Sequence, residues 1–142
     1  MATRSSIAYQ NVDGSVHSIY CHYDGYPEHN GKILKENYKS FEKVKNLIAL
    51  GDISSLGIEI NPKNDEPHNF DDRQSGVTVA YHRDRKENWE NVKPNEYYDI
   101  TAWLRHSVGN CGFEYLYILK KGIDGNYCWC FIDPNNLPIE KL

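Results

Sequence analysis

The 142-residue chain predicts an α+β fold, with an antiparallel sheet of about five strands and two or three helices packed mainly on one face. Three observations lead there. Short β-prone runs recur along the whole length, and two pairs of them are joined by Asp-Gly turns, which favour hairpins. Two stretches between Gly31 and Gly51 carry apolar residues at helical spacing. No repeat, low-complexity tract or composition break divides the chain, so residues 1–142 read as one domain.

Taken in order, Arg4 to Gln10 reads as the first strand and Asn11-Val12-Asp13-Gly14 as its turn. A second strand runs from Val16 to about Tyr23, with Val16, Ser18, Tyr20 and His22 on one face. Asn30 is a candidate cap for a helix from Gly31 to about Tyr38. Ser40 caps a second helix, in which Phe41, Val44, Leu47 and Ile48 share a side and Gly51 marks the end. Asp52 to Gly57 is a tight connection with room for one helical turn. Asn61 to Gln74 is polar, contains two prolines and reads as a loop that can lie over a site. Val77 to His82 is a short strand emptying into the charged run Arg83-Asp84-Arg85-Lys86-Glu87. A modest helix spans about Tyr97 to His106, and strands at Phe113–Lys120 and Tyr127–Ile132 flank the turn Gly122-Ile123-Asp124-Gly125. One face of this last hairpin is aromatic (Phe113, Tyr115, Tyr117, Tyr127, Trp129, Phe131). With helices covering the aliphatic side, the aromatic side is expected to meet something else, and a second subunit would serve.

A formal charge of −4 and a pI near 5.8 argue against a general nucleic-acid binder, whose contacts to phosphates need a basic surface. Mean hydropathy is low at −0.71, yet 11 tyrosines and 13% aromatic content are too rich for a disordered chain. The N-terminus lacks the apolar core of a signal peptide, and no run approaches the roughly 20 apolar residues of a membrane span. A cytoplasmic protein is expected, with Cys21, Cys111, Cys128 and Cys130 as reduced thiols. Cys128 and Cys130 have the wrong spacing for a zinc knuckle or redox motif and read as half-buried strand residues.

The segment from His22 to Gly31 is the leading site candidate, because it carries two histidines, two carboxylates and two tyrosines where a connection needs only turn chemistry. Gly25 to Lys32 resembles a phosphate loop only superficially: the glycine spacing is one residue too long, and Ile33 stands where a magnesium-binding hydroxyl belongs. Free N–H groups at Gly31 and Lys32 would still suit an anion if a helix starts there, although a plain helix start is the simpler account. His82-Arg83-Asp84 lacks every companion of a kinase catalytic loop. It delivers arginines whose planar forks suit phosphate, against the simpler account of a solvated charge run. Five scattered histidines, His17, His22, His29, His68 and His82, show no metal-ligand spacing. Cys21 and His22 point to opposite faces of a strand and cannot form a nucleophile–base pair. Asp24 and Glu28 are available as an acid–base pair, but carboxylates in a loop more often shape turns. Hairpin register sets Arg4 roughly opposite Tyr23 or Asp24. Arg4, the His22–Gly31 loop and the His82–Arg85 segment are therefore expected to converge at one end of the sheet.

These residues also carry a resemblance. The chain opens Met1-Ala-Thr-Arg-Ser5, continues with Ser18-Ile-Tyr-Cys-His22, Asp24-Gly-Tyr26 and Glu28-His-Asn-Gly-Lys-Ile-Leu34, and reaches Val77-Thr-Val-Ala-Tyr81. Over about residues 1–85 it resembles a recurrent group of small bacteriophage and prophage proteins. The resemblance implies a phage accessory protein made in the cytoplasm of an infected bacterium, and it supplies no catalytic residues. By analogy with phage proteins that act against host defence, the expected function is to bind and sequester a nucleotide-derived immune signal, a cyclic oligonucleotide or a cyclic ADP-ribose type.

In that expectation Arg4, Arg83 and Arg85 hold phosphates while Gly31 and Lys32 offer backbone donors. Tyr23 and Tyr26 stack on a base, and His22 and Asp24 read its polar edge, with His29 and His82 alongside. No cofactor and no metal is expected. The partners are a small nucleotide-derived ligand and a second copy in a homo-oligomer, with neither membrane nor long nucleic acid. Two rivals remain. One is a hydrolase of the same ligand using Asp24, Glu28 or His29. The other is a protein inhibitor of a host enzyme docking through Tyr- and Trp-rich surface, with Trp89 and Trp103 as anchors.

Overall fold

The computed structural model describes residues 2–64, 66–110, 112–133 and 140–142, and the expected thiol at Cys111 lies outside them. The first hairpin forms as its turn chemistry dictates. Strands β1 (Ser5–Gln10) and β2 (Val16–Cys21) pair antiparallel with Ser5 opposite Cys21, and Gly14 takes the positive φ of 93° at the turn. Continuing that register sets Arg4 across from His22, one position short of the expected Tyr23 or Asp24.

After a π-helical turn, Pro27–Gly31, come α1 (Lys32–Asn37) and α2 (Phe41–Ile48). The latter matches its sequence signals: Ser40 accepts from the Lys43 N–H at 3.1 Å, and Gly51 ends the turn at φ 81°. The remaining elements are β3 (Ile53–Ser55), β4 (Val79–Ala80), α3 (Tyr81–Arg85), α4 (Trp89–Val92), β5 (Asn95–Tyr97), α5 (Ile100–Asn110), β6 (Tyr115–Lys121), β7 (Tyr127–Ile132) and β8 (Glu140–Lys141).

The sheet is mixed and has more strands than the five expected. Its order among the described residues is β4-β3-β2-β1-β6-β7-β8, with β5 also on β2. β1 runs parallel to β6, and β2 parallel to β3. Side-chain alternation fixes which residues share a face, but it is the same for parallel and antiparallel neighbours, so the sequence could not distinguish them. The connection over Asp52–Gly57 holds strand β3, and the run from Val77 shortens to two strand residues before turning helical at Tyr81.

Helices cover both faces of the sheet, not mainly one. On one face α1 and α2 bury Leu34, Tyr38, Val44, Leu47 and Ile48 against Ile7, Ile19, Tyr117 and Trp129. On the other, α5 sets Trp103 against Ala8, Leu116, Ile118 and Ile132. The aromatic side of the last hairpin is therefore met by helices of the same chain. Phe41 stacks on Tyr127 at 5.0 Å, and the Trp129 indole N–H donates to the Tyr38 carbonyl at 2.9 Å. Phe113 lies before β6 and packs with the α5 cluster instead. No helix among the described residues is long and apolar enough to cross a membrane.

Candidate functional site

The loop after β2 is tied down at nearly every residue. His22 and Tyr23 continue along β3, their N–H groups donating to Ile53 O at 3.1 Å and Ser54 O at 2.9 Å. Asp24 then takes a left-handed φ of 58°, a conformation uncommon outside Gly, Asn and Asp. Gly25 follows because only hydrogen fits there: a Cβ would stand 2.8 Å from both Ser5 Cβ and Thr3 O. The buried Tyr117 hydroxyl donates to Gly25 O at 2.6 Å. Asn30, expected as a helix cap, is instead buried inside the loop and donates to Tyr23 O and Cys21 Sγ at 3.3 Å each. This framework holds the Tyr23 and Tyr26 rings outward, 41% and 37% exposed. His22 meets Tyr23 edge-on at 4.5 Å, Tyr26 lies 6.0 Å from His29, and His29 Nδ1 bonds Asn30 Oδ1 at 3.0 Å.

The expected anion cradle at Gly31 and Lys32 is not formed. The π-helical turn runs straight into α1, so the Lys32 N–H donates to the Pro27 and His29 carbonyls, and Gly31 is buried. The Lys32 side chain lines a hollow of about 350 Å³ with Pro27, Lys35, Glu36 and Leu142.

Arg4 and His22 do come together, through a residue that the sequence reading left out. The Tyr20 hydroxyl is hydrogen-bonded to His22 Nδ1; burial raises its pKa, and the nearby Arg4 guanidinium opposes that rise. Its ring lies 5.8 Å from His22 and 6.0 Å from Phe113. Behind it, β5 pairs with β2 at Val16–Ser18 and β3 joins at Cys21, leaving the Tyr20 N–H in a gap between two short strands. Asp52 fills the gap, its Oδ1 accepting that N–H at 2.9 Å. Burial pushes the Asp52 carboxyl up to about 6, against the opposing effect of the Tyr20 hydrogen bond. Tyr81 stands beside Ser54 and near Tyr20, its hydroxyl pKa raised chiefly by burial. Ser54 Oγ is buried without a well-formed hydrogen bond among the described residues.

The His82–Arg85 segment is distributed differently from the expectation. It forms helix α3, and the left-handed Lys86 stops it at φ 61°. His82 Nδ1 lies 2.9 Å from Glu87 O, and its ring packs on Trp89. Arg83 is a structural clamp: its Nε and one terminal nitrogen grip Asp84 at 2.9 and 3.0 Å, and its terminal nitrogens donate to Ile60 O at 2.7 Å and Thr78 O at 2.6 Å. Four of a guanidinium's five N–H donors are thereby occupied. Asp84 also accepts from the Ala80 N–H at 2.8 Å and faces the buried His68 Nε2 at 3.3 Å. Arg85 lies over the Phe70 ring.

The arrangement therefore joins Arg4, His22 and Tyr23 with Tyr20, Asp52, Ser54, Tyr81 and Phe113. Alternation in β2 already set Tyr20 beside His22, whereas Asp52 and Tyr81 required the strand order. Chemically the cluster offers a fixed cation, an imidazole and phenol donors beside flat rings. Cys21 adds no nucleophile, because burial pushes its thiol up to about 12. Trp103 is fully buried, its Nε1 3.4 Å from Ser6 Oγ, and so offers no surface for docking. No cluster of three or more His, Cys, Asp or Glu able to hold a metal occurs among the described residues. Comparison with protein-family models, curated proteins and solved structures finds no match to the chain.

Proposed function

We propose that the protein is a non-enzymatic binder that sequesters a nucleotide-derived immune signal, of the cyclic oligonucleotide or cyclic ADP-ribose type, as a phage accessory protein in the cytoplasm of an infected host. The observation that carries the reading is the meeting of Arg4, Tyr20 and His22 beside the exposed Tyr23 ring. In a chain of net charge −4, this sets a cation and hydrogen-bond donors next to aromatic surface. Arg4 would hold a phosphate, His22 and the Tyr20 hydroxyl would read polar edges, and Tyr23 would stack on a base. Tyr26 and His29 flank the same loop. A homo-oligomer belongs to the same proposal.

Thermal shift with a panel of cyclic nucleotides and ADP-ribose derivatives tests it. A specific ligand at a hundredfold excess over Kd adds about 2.7 kcal/mol of stability. Stabilisation by one class, abolished by Arg4→Gln, supports the reading; a flat response to the whole panel removes it. Native mass spectrometry of the same samples reports the oligomer. A hydrolase is the second reading, favoured by the Tyr20–His22 pair and by Asp52 with a carboxyl near 6, inside the range useful for acid–base chemistry. Chromatography after incubation separates the two, since intact ligand means binding and new products mean turnover.

A further inference from the structure

The Arg4 cluster continues past Tyr81. The Tyr81 ring stacks on Phe70 at 5.7 Å with an interplanar angle of 30°, and Phe70 is the centre of a second group of cations. The guanidinium carbons of Arg73 and Arg85 lie 4.7 and 4.8 Å from the same Phe70 ring centre. These two arginines come from separate segments, the 61–76 loop and α3. The loop that presents Phe70 and Arg73 is tied to α3 through Phe70 and braced by bonds within itself. The Phe70 N–H donates to Asp84 O at 3.0 Å, the Gln74 N–H donates to His68 Nδ1 at 3.0 Å, and Asn69 Oδ1 accepts from the Asp71 and Asp72 N–H groups.

Both arginines are exposed, and among the described residues neither has a carboxylate within 4 Å, neighbouring Asp71 and Asp72 included. Arg73 uses only its Nε, donating to Phe70 O at 2.9 Å. The contrast with Arg83, whose donors are consumed by Asp84 and two carbonyls, is direct. Two guanidinium groups without a carboxylate partner, each set against the same ring, keep terminal nitrogens free for an anion, with aromatic surface beside them.

We infer that Arg73 and Arg85 form a second anion subsite, joined to the Arg4 cluster by the stacked Phe70 and Tyr81 rings. The inference rests on the binding reading of the Arg4 cluster and narrows its ligand class. A ligand that reaches both ends carries two phosphates held apart by sugars that each bear a planar base, as in a cyclic dinucleotide. A mononucleotide has one phosphate, and adjacent phosphates joined as a pyrophosphate stay together at one end.

Calorimetric titration of wild type, Arg4→Gln and the double variant Arg73→Gln/Arg85→Gln tests this. The probes are cyclic di-AMP, cyclic di-GMP and cyclic GMP–AMP, with AMP and GMP as single-phosphate controls. The double variant is expected to weaken the best cyclic dinucleotide by about ten- to a hundredfold, the size of one or two lost hydrogen bonds to a charged group. Mononucleotide binding should change by less than about twofold. The variant Arg73→Lys/Arg85→Lys, with circular dichroism confirming its fold, should fall between wild type and the double glutamine variant, because lysine keeps the charge but loses the planar fork. Dinucleotide binding that is lost in Arg4→Gln but unchanged in the double glutamine variant overturns the second subsite and leaves sequestration standing. No binding of any probe to wild type overturns both.

Discussion

Replacing Arg83 by methionine distinguishes a structural arginine from a ligand-binding one. The side chain of Asp84 is 3% exposed and that of Arg83 is 24% exposed, so Arg83→Met leaves a buried carboxylate without its two-point partner. Ile60 O and Thr78 O lose their donors in the same step. Removing one member of a buried ion pair costs roughly 3–5 kcal/mol. Because Arg83 is a quarter exposed, the low end applies, about 3 kcal/mol, or a fall in Tm of about 10 °C for a chain of this length. Urea and thermal unfolding followed by circular dichroism measure it. Asp84→Asn alone leaves Arg83 without its charge partner, and the double variant should lose about 1–3 kcal/mol less than the sum of the single losses.

The pH dependence supplies a second readout. Burial pushes the Asp84 carboxyl up, but hydrogen bonds from Arg83 and Ala80 and the charges of Arg83 and His68 outweigh it and hold the group below its ordinary value. A depressed carboxylate contributes stability above the unfolded pKa of about 3.9 and loses it as pH falls through the folded value. The gap between wild type and Arg83→Met should therefore narrow below about pH 4. If Arg83→Met keeps its stability within about 1 kcal/mol while nucleotide affinity collapses, the clamp assignment is wrong and Arg83 belongs to the ligand site.

Three further outcomes follow from the same contacts. Asp52 titrates at about 6 in the fold, so the folded chain binds that proton more tightly than the unfolded chain. Stability should fall as pH rises from about 4 to 6, and Asp52→Asn should flatten that slope and gain about 1–2 kcal/mol at pH 7.5 in urea melts. Tyr117→Phe removes the only donor seen on Gly25 O among the described residues and should cost about 1–3 kcal/mol. Faster hydrogen exchange at Gly25 and Asn30 would accompany it. Cys21, buried and pushed up to about 12, should resist a thiol reagent at pH 8 in the native protein while half-buried Cys128 reacts first, as peptide mapping by mass spectrometry would show.

The two hairpins and helix α2 were legible in the sequence because their signals are local. Asp13-Gly14 and Asp124-Gly125 set turns, Ser40 and Gly51 bracket a helix, and the spacing of Val44, Leu47 and Ile48 gives its buried side. The candidate loop was legible in composition, and alternation along β2 had already grouped Tyr20 with His22. The tertiary structure decided the rest. Parallel pairing of β1 with β6 depends on which distant strands meet, and that pairing opened both sheet faces to helices. The fate of each polar group depended on partners far along the chain. Arg83 is consumed by a carbonyl 23 residues away, and Asp52 is drawn to an amide 32 residues away. Lys32 lost its free amide to a π-helical turn, in which Gly31 is buried. A charged residue in sequence declares what it can bind, but only packing determines whether another part of the same chain has already taken its donors.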